Sequence, residues 1–165
     1  MIIHDLLEQI EKCVSSKLHH VALFTALTIP DIAGAVDSVD GRANGQKYAQ
    51  WFDAHVAPKY YAFGTQYLTG ADCYQFRCVM LHQGRAKHTN GRYSKPLLLV
   101  AKQQNIAYCG AFTLDGGRTL GVDIPLFCNN IVEAAYDWVE KVEHTKRFKK
   151  NSAEFMELFT LSFEE

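Results

Sequence analysis

Apolar residues recur at helical spacing through most of this chain and lose that spacing only between about residues 97 and 124. That change of period restricts the fold more than any other feature. Ile3, Leu6, Leu7, Ile10 and Val14 predict an amphipathic helix over 3–15, with acids early and Lys12 late to suit the helix dipole. Leu18, Val21, Ala22, Leu23, Leu27, Ile29 and Ile32 predict a more buried helix over 18–36. Pro30 either kinks that helix or ends it and opens another from the first turn. Asp40-Gly41 and Asn44-Gly45 mark a turn-rich loop, and Tyr48, Trp51, Phe52 and Val56 then predict a helix over 46–57 that Pro58 stops. Aromatic residues crowd 60–67 without a readable period.

Thr69 and Asp72, three apart, form a capping-box signal for a helix running to about His82, with Gly84 placed to end it in a left-handed turn. Leu97-Leu98-Leu99-Val100 and Ile106 to Phe112 then read as two strands joined by a polar turn. Asp115-Gly116-Gly117 marks a further turn before a third short strand near 120–124. Helical spacing returns over 127–148 (Ile131, Ala134, Ala135, Trp138, Val142) and 152–163 (Phe155, Leu158, Phe159). The expected fold is α+β and mainly α: one domain over 1–165, a helical bundle with a small β-hairpin insertion between the fourth helix and the C-terminal helices.

Composition narrows the function classes. With 48% apolar residues, 21% charged residues and a net charge of −1, the chain is neither disordered nor a globally basic nucleic-acid binder. No apolar run approaches the ~20 residues of a membrane span, and the first residues lack a secretory pattern, so a soluble cytoplasmic protein without membrane association is expected. Five cysteines with no C-x-x-C pair read as free thiols. No H-E-x-x-H, C-x-x-C or acidic cluster offers a metal site, and no cofactor motif is present.

The chemistry concentrates on the helix over 72–84. Three and four residues from Arg77 stand Cys73, Tyr74, Met80 and Leu81, all apolar or aromatic. A guanidinium does not shed its charge, so in that setting it needs a carboxylate, a set of carbonyls, a cleft or an incoming anion. An internal acid such as Asp31 would satisfy it structurally. His82 follows five residues later, at the helix exit, where its ring reaches a flanking cleft. A permanent cation beside a group that titrates near neutrality suits phosphate-ester chemistry.

Phe76-Arg77-Cys78-Val79-Met80-Leu81-His82-Gln83-Gly84 resembles the Arg-x4–6-His signature of the HEPN superfamily (higher eukaryotes and prokaryotes nucleotide-binding domains) over about a dozen residues. The resemblance implies a helical protein and, in active members, a metal-independent endoribonuclease of a toxin or phage-defence system. Such members work as homodimers, with the Arg and His of two protomers meeting across a cleft, and toxins of this kind have an antitoxin partner. On that basis Arg77 and His82 are the expected catalytic residues: His82 moves the proton and Arg77 stabilises charge on the phosphorus oxygens. Cys78 stands where the family commonly has a polar residue, and the hairpin is extra to a plain bundle.

Between Asp72 and Asp115 there is no acidic residue, while Arg77, Arg85, Lys87, Arg92, Lys95 and Lys102 add six cations. Arg85, Lys87, His88, Arg92 and Tyr93 combine charge, donors and one aromatic ring, the set that holds RNA phosphates and stacks a base. A solvated loop balanced by acids elsewhere is the plainer reading. Three readings remain open: a ribonuclease, a non-catalytic nucleotide- or protein-binding module, and a structural domain in which Arg77 is an ion-pair member. Arg77 and His82 on one solvent-reachable cleft favour the first two; an Arg77–Asp31 pair with His82 turned away favours the third.

Overall fold

The computed structural model describes residues 2–85, 91–100 and 109–156. Helix α1 (Ile2–Ser15) buries Ile3, Leu7 and Ile10, the residues its spacing puts on one face. The apolar stretch that follows divides into α2 (His19–Ala26) and α3 (Ile29–Val36). Pro30 lies in the first turn of α3, where its missing N–H has no intrahelical partner to lose, so the break rather than the kink is realised. The 18 residues His19–Val36 reach a mean hydropathy of 1.2, enough to match a membrane span by composition, yet they form two short helices and half of them are buried in the protein.

Asn44 caps α4 (Gly45–His55), its side chain accepting from the Lys47 backbone N–H at 2.9 Å. The aromatic segment after it resolves into a 3-10 turn (Ala57–Tyr60) and a miniature antiparallel hairpin, β1 (Tyr61–Ala62) with β2 (Thr65–Gln66). Phe63 and Gly64 turn that hairpin at φ of 50° and 72°, the doubly left-handed shape of a tight two-residue connection. Helix α5 (Gly70–Gln83) opens with the predicted capping box: Thr69 accepts from the Asp72 N–H while Asp72 accepts from the Thr69 N–H. Gly84 closes it at φ 59°. Gly70 has a steric reason to be glycine, since a Cβ there would stand 2.2 Å from the Ala49 carbonyl oxygen, so closely do α4 and α5 approach.

The sheet corrects one expectation. Strands β3 (Lys95–Leu99), β4 (Cys109–Leu114) and β5 (Gly117–Asp123) run in the order β3-β5-β4. The first two strands are therefore not partners. The hairpin is β4–β5, turned by Asp115 and Gly116 at φ of 51° and 74°, and β3 lies parallel to β5 on its other side. Burial explains the choice: β5 buries Thr119 to Asp123, so the strand with the most covered surface takes the centre. Asp123 caps α6 (Ile124–Val142), and Thr145 caps a separate α7 (Lys146–Ser152), splitting the helix expected over 127–148. Because α7 ends at Ser152, no helix starts there; positions 157–163 of that expected helix lie outside the described residues.

Tyr48, Phe52, Ile131, Ala135 and Trp138 join α1, α2, α4 and α6 into one buried cluster, and β5 adds Leu120 and Val122 to it. The architecture is α+β and mainly α.

Candidate active site at the end of helix α5

Helix α5 is locked in its first turn before it presents anything to solvent. The Tyr48 hydroxyl donates to the Leu27 carbonyl at 3.2 Å and lies 3.3 Å from the Cys73 sulfur, tying α5 to α4 and α2. Burial pushes the Cys73 thiol up to about 12, and that of Cys128 likewise, so both are inert apolar fillers at neutral pH. Cys73 and Met80 go into the core beside Arg77, whereas Tyr74 and Leu81 are half-buried.

Arg77 rises out of this setting and meets two groups at once. Its Nε–H donates to Asp31 Oδ2 at 2.8 Å, with the two side chains 21% and 20% exposed. Its Nη1 lies 2.9 Å from His82 Nε2. A guanidinium only donates, so Nε2 is the acceptor and the ring proton of a neutral His82 sits on Nδ1. Tyr74 and Cys78 complete the group: the Tyr74 ring centroid is 6.0 Å from the guanidinium carbon, and Cys78 is close enough to influence the titration of both Tyr74 and Arg77. Burial raises the Asp31 carboxyl above its ordinary range, against the opposing pulls of Arg77 and His82. Burial alone would lower Arg77, but the Asp31 carboxylate more than offsets it and holds the guanidinium pKa above its usual value.

The arrangement is thus a hybrid of the two alternatives drawn from the sequence. Arg77 has its internal acid, as the structural reading requires, but the exposed His82 is not turned away: it is hydrogen-bonded to the same guanidinium. Asp31 owes its place to α3, whose first turn it occupies because Pro30 restarts the helix there.

The other expected site residues part company. Arg92 is committed internally: Nη1 donates to the Gln66 carbonyl and Nη2 to the Tyr67 carbonyl, each at 2.8 Å, and Nη2 also pairs with Asp72 Oδ2 at 2.5 Å. Tyr93 is only 1% exposed, its hydroxyl bonded to the Tyr67 carbonyl and its ring between the guanidinium groups of Arg92 and Arg118 at 5.0 and 5.2 Å. A ring so enclosed has no open face for a base, whereas Arg92 keeps a third of its side chain exposed; together they brace the segment before β3 against α5. Arg85 is exposed just past Gly84. Lys87 and His88 lie outside the described residues, as does Lys102. Three of the six cations in the acid-free window meet acids at its borders or beyond: Arg92 takes Asp72, Lys95 takes Asp115 at 3.0 Å and Arg77 takes Asp31.

Asp31 and Tyr74 were visible in the sequence only as a candidate partner and an i−3 neighbour; nothing local announces that α3 would deliver the acid to α5 across 46 residues. Among the described residues no cluster of three His, Cys, Asp or Glu side chains stands ready for a metal ion. Fold and site together define a mainly helical α+β protein in which a half-buried Asp31–Arg77 pair meets an exposed His82 at a helix exit. Comparison with family models, curated proteins and solved structures finds no match to the chain.

Proposed function

We propose that the chain is a HEPN-like, metal-independent endoribonuclease of a cytoplasmic toxin or phage-defence system, acting as a homodimer with an antitoxin partner and using Arg77 and His82. The observation that carries this reading is the 2.9 Å contact between Arg77 Nη1 and His82 Nε2 at the exposed end of α5. In the step this pair serves, the ribose 2′-oxygen attacks phosphorus, the bond to the 5′-oxygen breaks and a 2′,3′-cyclic phosphate forms. His82 takes the 2′-hydroxyl proton and returns a proton to the leaving 5′-oxygen, so acid and base demands balance on one ring. Arg77 stabilises the negative charge that grows on the non-bridging oxygens, and Asp31 holds the guanidinium by its Nε edge. Substrate arriving at Nη1 displaces the imidazole and frees Nε2 for the proton.

A second reading is a nucleotide- or carboxylate-binding module without catalysis. It is favoured by the same contact seen from the other side: Nε2 already accepts from Arg77, which occupies the lone pair a general base needs, while the guanidinium edge remains a donor for an anion. The deciding experiment incubates purified protein with structured RNA in EDTA and compares His82→Ala and Arg77→Ala. Cleavage by the wild type lost in both variants supports the ribonuclease; cleavage by all, or by none, removes it. RNA retained by the wild type without cleavage, and released by Arg77→Ala, supports the binding module.

A further inference from the structure

At the opposite end of α3 from Asp31, the chain leaves a concave pocket of about 420 Å³, within the range of small-molecule sites. Gly34, Asp37 and Ser38 form one wall and Trp51, Ala54 and His55 of α4 another. His55 stands one turn after Trp51, and their rings lie 5.2 Å apart at 38°, so a half-buried imidazole is backed by an indole that is itself only 4% exposed. The Trp51 Nε1–H is buried and has no hydrogen-bond partner among the described residues, an unusual state for an indole donor.

Asp37, the C-cap of α3, faces this aromatic pair. Its Oδ2 accepts from Trp138 Nε1 at 3.0 Å, a neutral donor, and Arg147 bonds the Asp37 backbone carbonyl rather than the carboxylate. Among the described residues no cation forms an ion pair with this carboxylate; Lys47, which also lines the pocket, is engaged by Asp40. Burial raises Asp37 and lowers His55, each held toward its neutral form, with Arg147 acting on Asp37 and Asp137 and Lys141 of α6 acting on His55. A neutral imidazole in this position is a stacking surface, and a carboxylate with spare lone pairs accepts paired N–H donors.

We propose that this pocket binds a planar heteroaromatic base presenting adjacent N–H and NH2 donors, of the guanine type, packed on His55 with its donor edge on Asp37. The ring shape answers the aromatic wall, and the two donors answer a carboxylate whose described partner is one indole N–H. An aliphatic polyamine would meet the Asp37 charge but brings no flat face to pack on His55. The site is independent of the Arg77–His82 reading and stands whether or not the chain cleaves RNA.

The chain's two tryptophans give the test a direct readout, since Trp51 lines the pocket and Trp138 donates to Asp37. Guanosine titrated into ¹⁵N-labelled protein should move the two indole N–H resonances saturably. Inosine, which lacks the amino group, should bind about tenfold more weakly, the loss of one good hydrogen bond. Asp37→Asn, whose amide oxygen can still accept from Trp138, should weaken guanosine by at least about tenfold. Ala54→Phe, at an exposed position on the pocket wall, should abolish binding with the spectrum otherwise folded. Absent or unsaturable shifts overturn the proposal. So do equal responses to guanosine, adenosine and uridine, wild-type affinity in Asp37→Asn, or shifts produced by spermidine in place of guanosine.

Discussion

Helix α5 contributes one member to each of two arginine–aspartate pairs, Asp72 at its start and Arg77 on the way to its exit, and the two pairs are built to opposite specifications. At the N-terminal end Arg92 donates to two carbonyls and to Asp72, packs on the ring of Tyr93, and shares Asp72 with the capping box of the helix. Asp72 keeps only 7% of its side chain exposed. At the C-terminal end Arg77 has one carboxylate on Nε and an exposed imidazole on Nη1. The first guanidinium spends its donors on the fold's own backbone; the second is fixed at one edge and turned toward a group that titrates. An ion pair as such therefore says little about function. What distinguishes a candidate site is the chemistry of the third partner, carbonyls in one case and a histidine in the other.

This contrast predicts unequal responses to losing the acid. Asp72→Ala removes the carboxylate that accepts from the Thr69 N–H and hydroxyl and from Arg92, leaving the Asp72 N–H bond to Thr69 and Arg92's two carbonyls in place, so it should destabilise the protein by about 3 kcal/mol. For a chain of this length that corresponds to a melting temperature lower by about 6–12 °C, checked by calorimetry. Asp31→Asn leaves an amide oxygen to accept from Arg77 Nε, and both side chains are one-fifth exposed, so the expected loss is smaller, about 1–1.5 kcal/mol. Asp31→Asn should also loosen the Arg77–His82 contact, which NMR reads as a changed His82 Nε2 shift at neutral pH. If the two substitutions prove equally destabilising, the two ends of α5 do not differ as described.

Much of this was legible in the sequence where the signal is local. Thr69 and Asp72, Gly84, and the apolar faces of α1 and α6 are governed by contacts within a few residues, and each formed as its pattern predicts. One failure is local, the Thr145 cap that splits the helix expected over 127–148; those in the sheet and at the sites are non-local. Pairing β5 with both neighbours depends on which strand gains most from burial, which adjacency along the chain does not disclose. Tyr93 reads as a base-stacking ring when only its basic neighbours are considered, yet Tyr67 and Arg118, 26 and 25 positions away in sequence, claim its hydroxyl and a face of its ring. The pocket of Asp37, Trp51 and His55 went unseen for the same reason: it exists only because α3 and α4 close against each other, so tightly that a Cβ on Gly34 would stand 3.2 Å from Lys47.

The smallest expected effect is the most discriminating. His82→Ala removes an exposed side chain and should change stability at neutral pH by less than about 0.5 kcal/mol, whereas removal of Arg92's partner is severe. Its trace should appear instead in the titration of Asp31. That carboxyl binds its proton more tightly in the folded chain than the ordinary value of 3.8, because burial disfavours the charge. Asp31 therefore favours folding most at low pH, and that contribution disappears as pH rises from 3.8 through the elevated folded value. His82 opposes the elevation, since its positive form favours the carboxylate beside it. Deleting the imidazole should move the Asp31 midpoint further upward, measured by carboxyl ¹³C shifts, and extend to higher pH the range over which stability falls. An Asp31 midpoint unmoved by His82→Ala would mean that the imidazole is electrostatically separate from the pair, and the C-terminal end of α5 would then be as purely structural as the other.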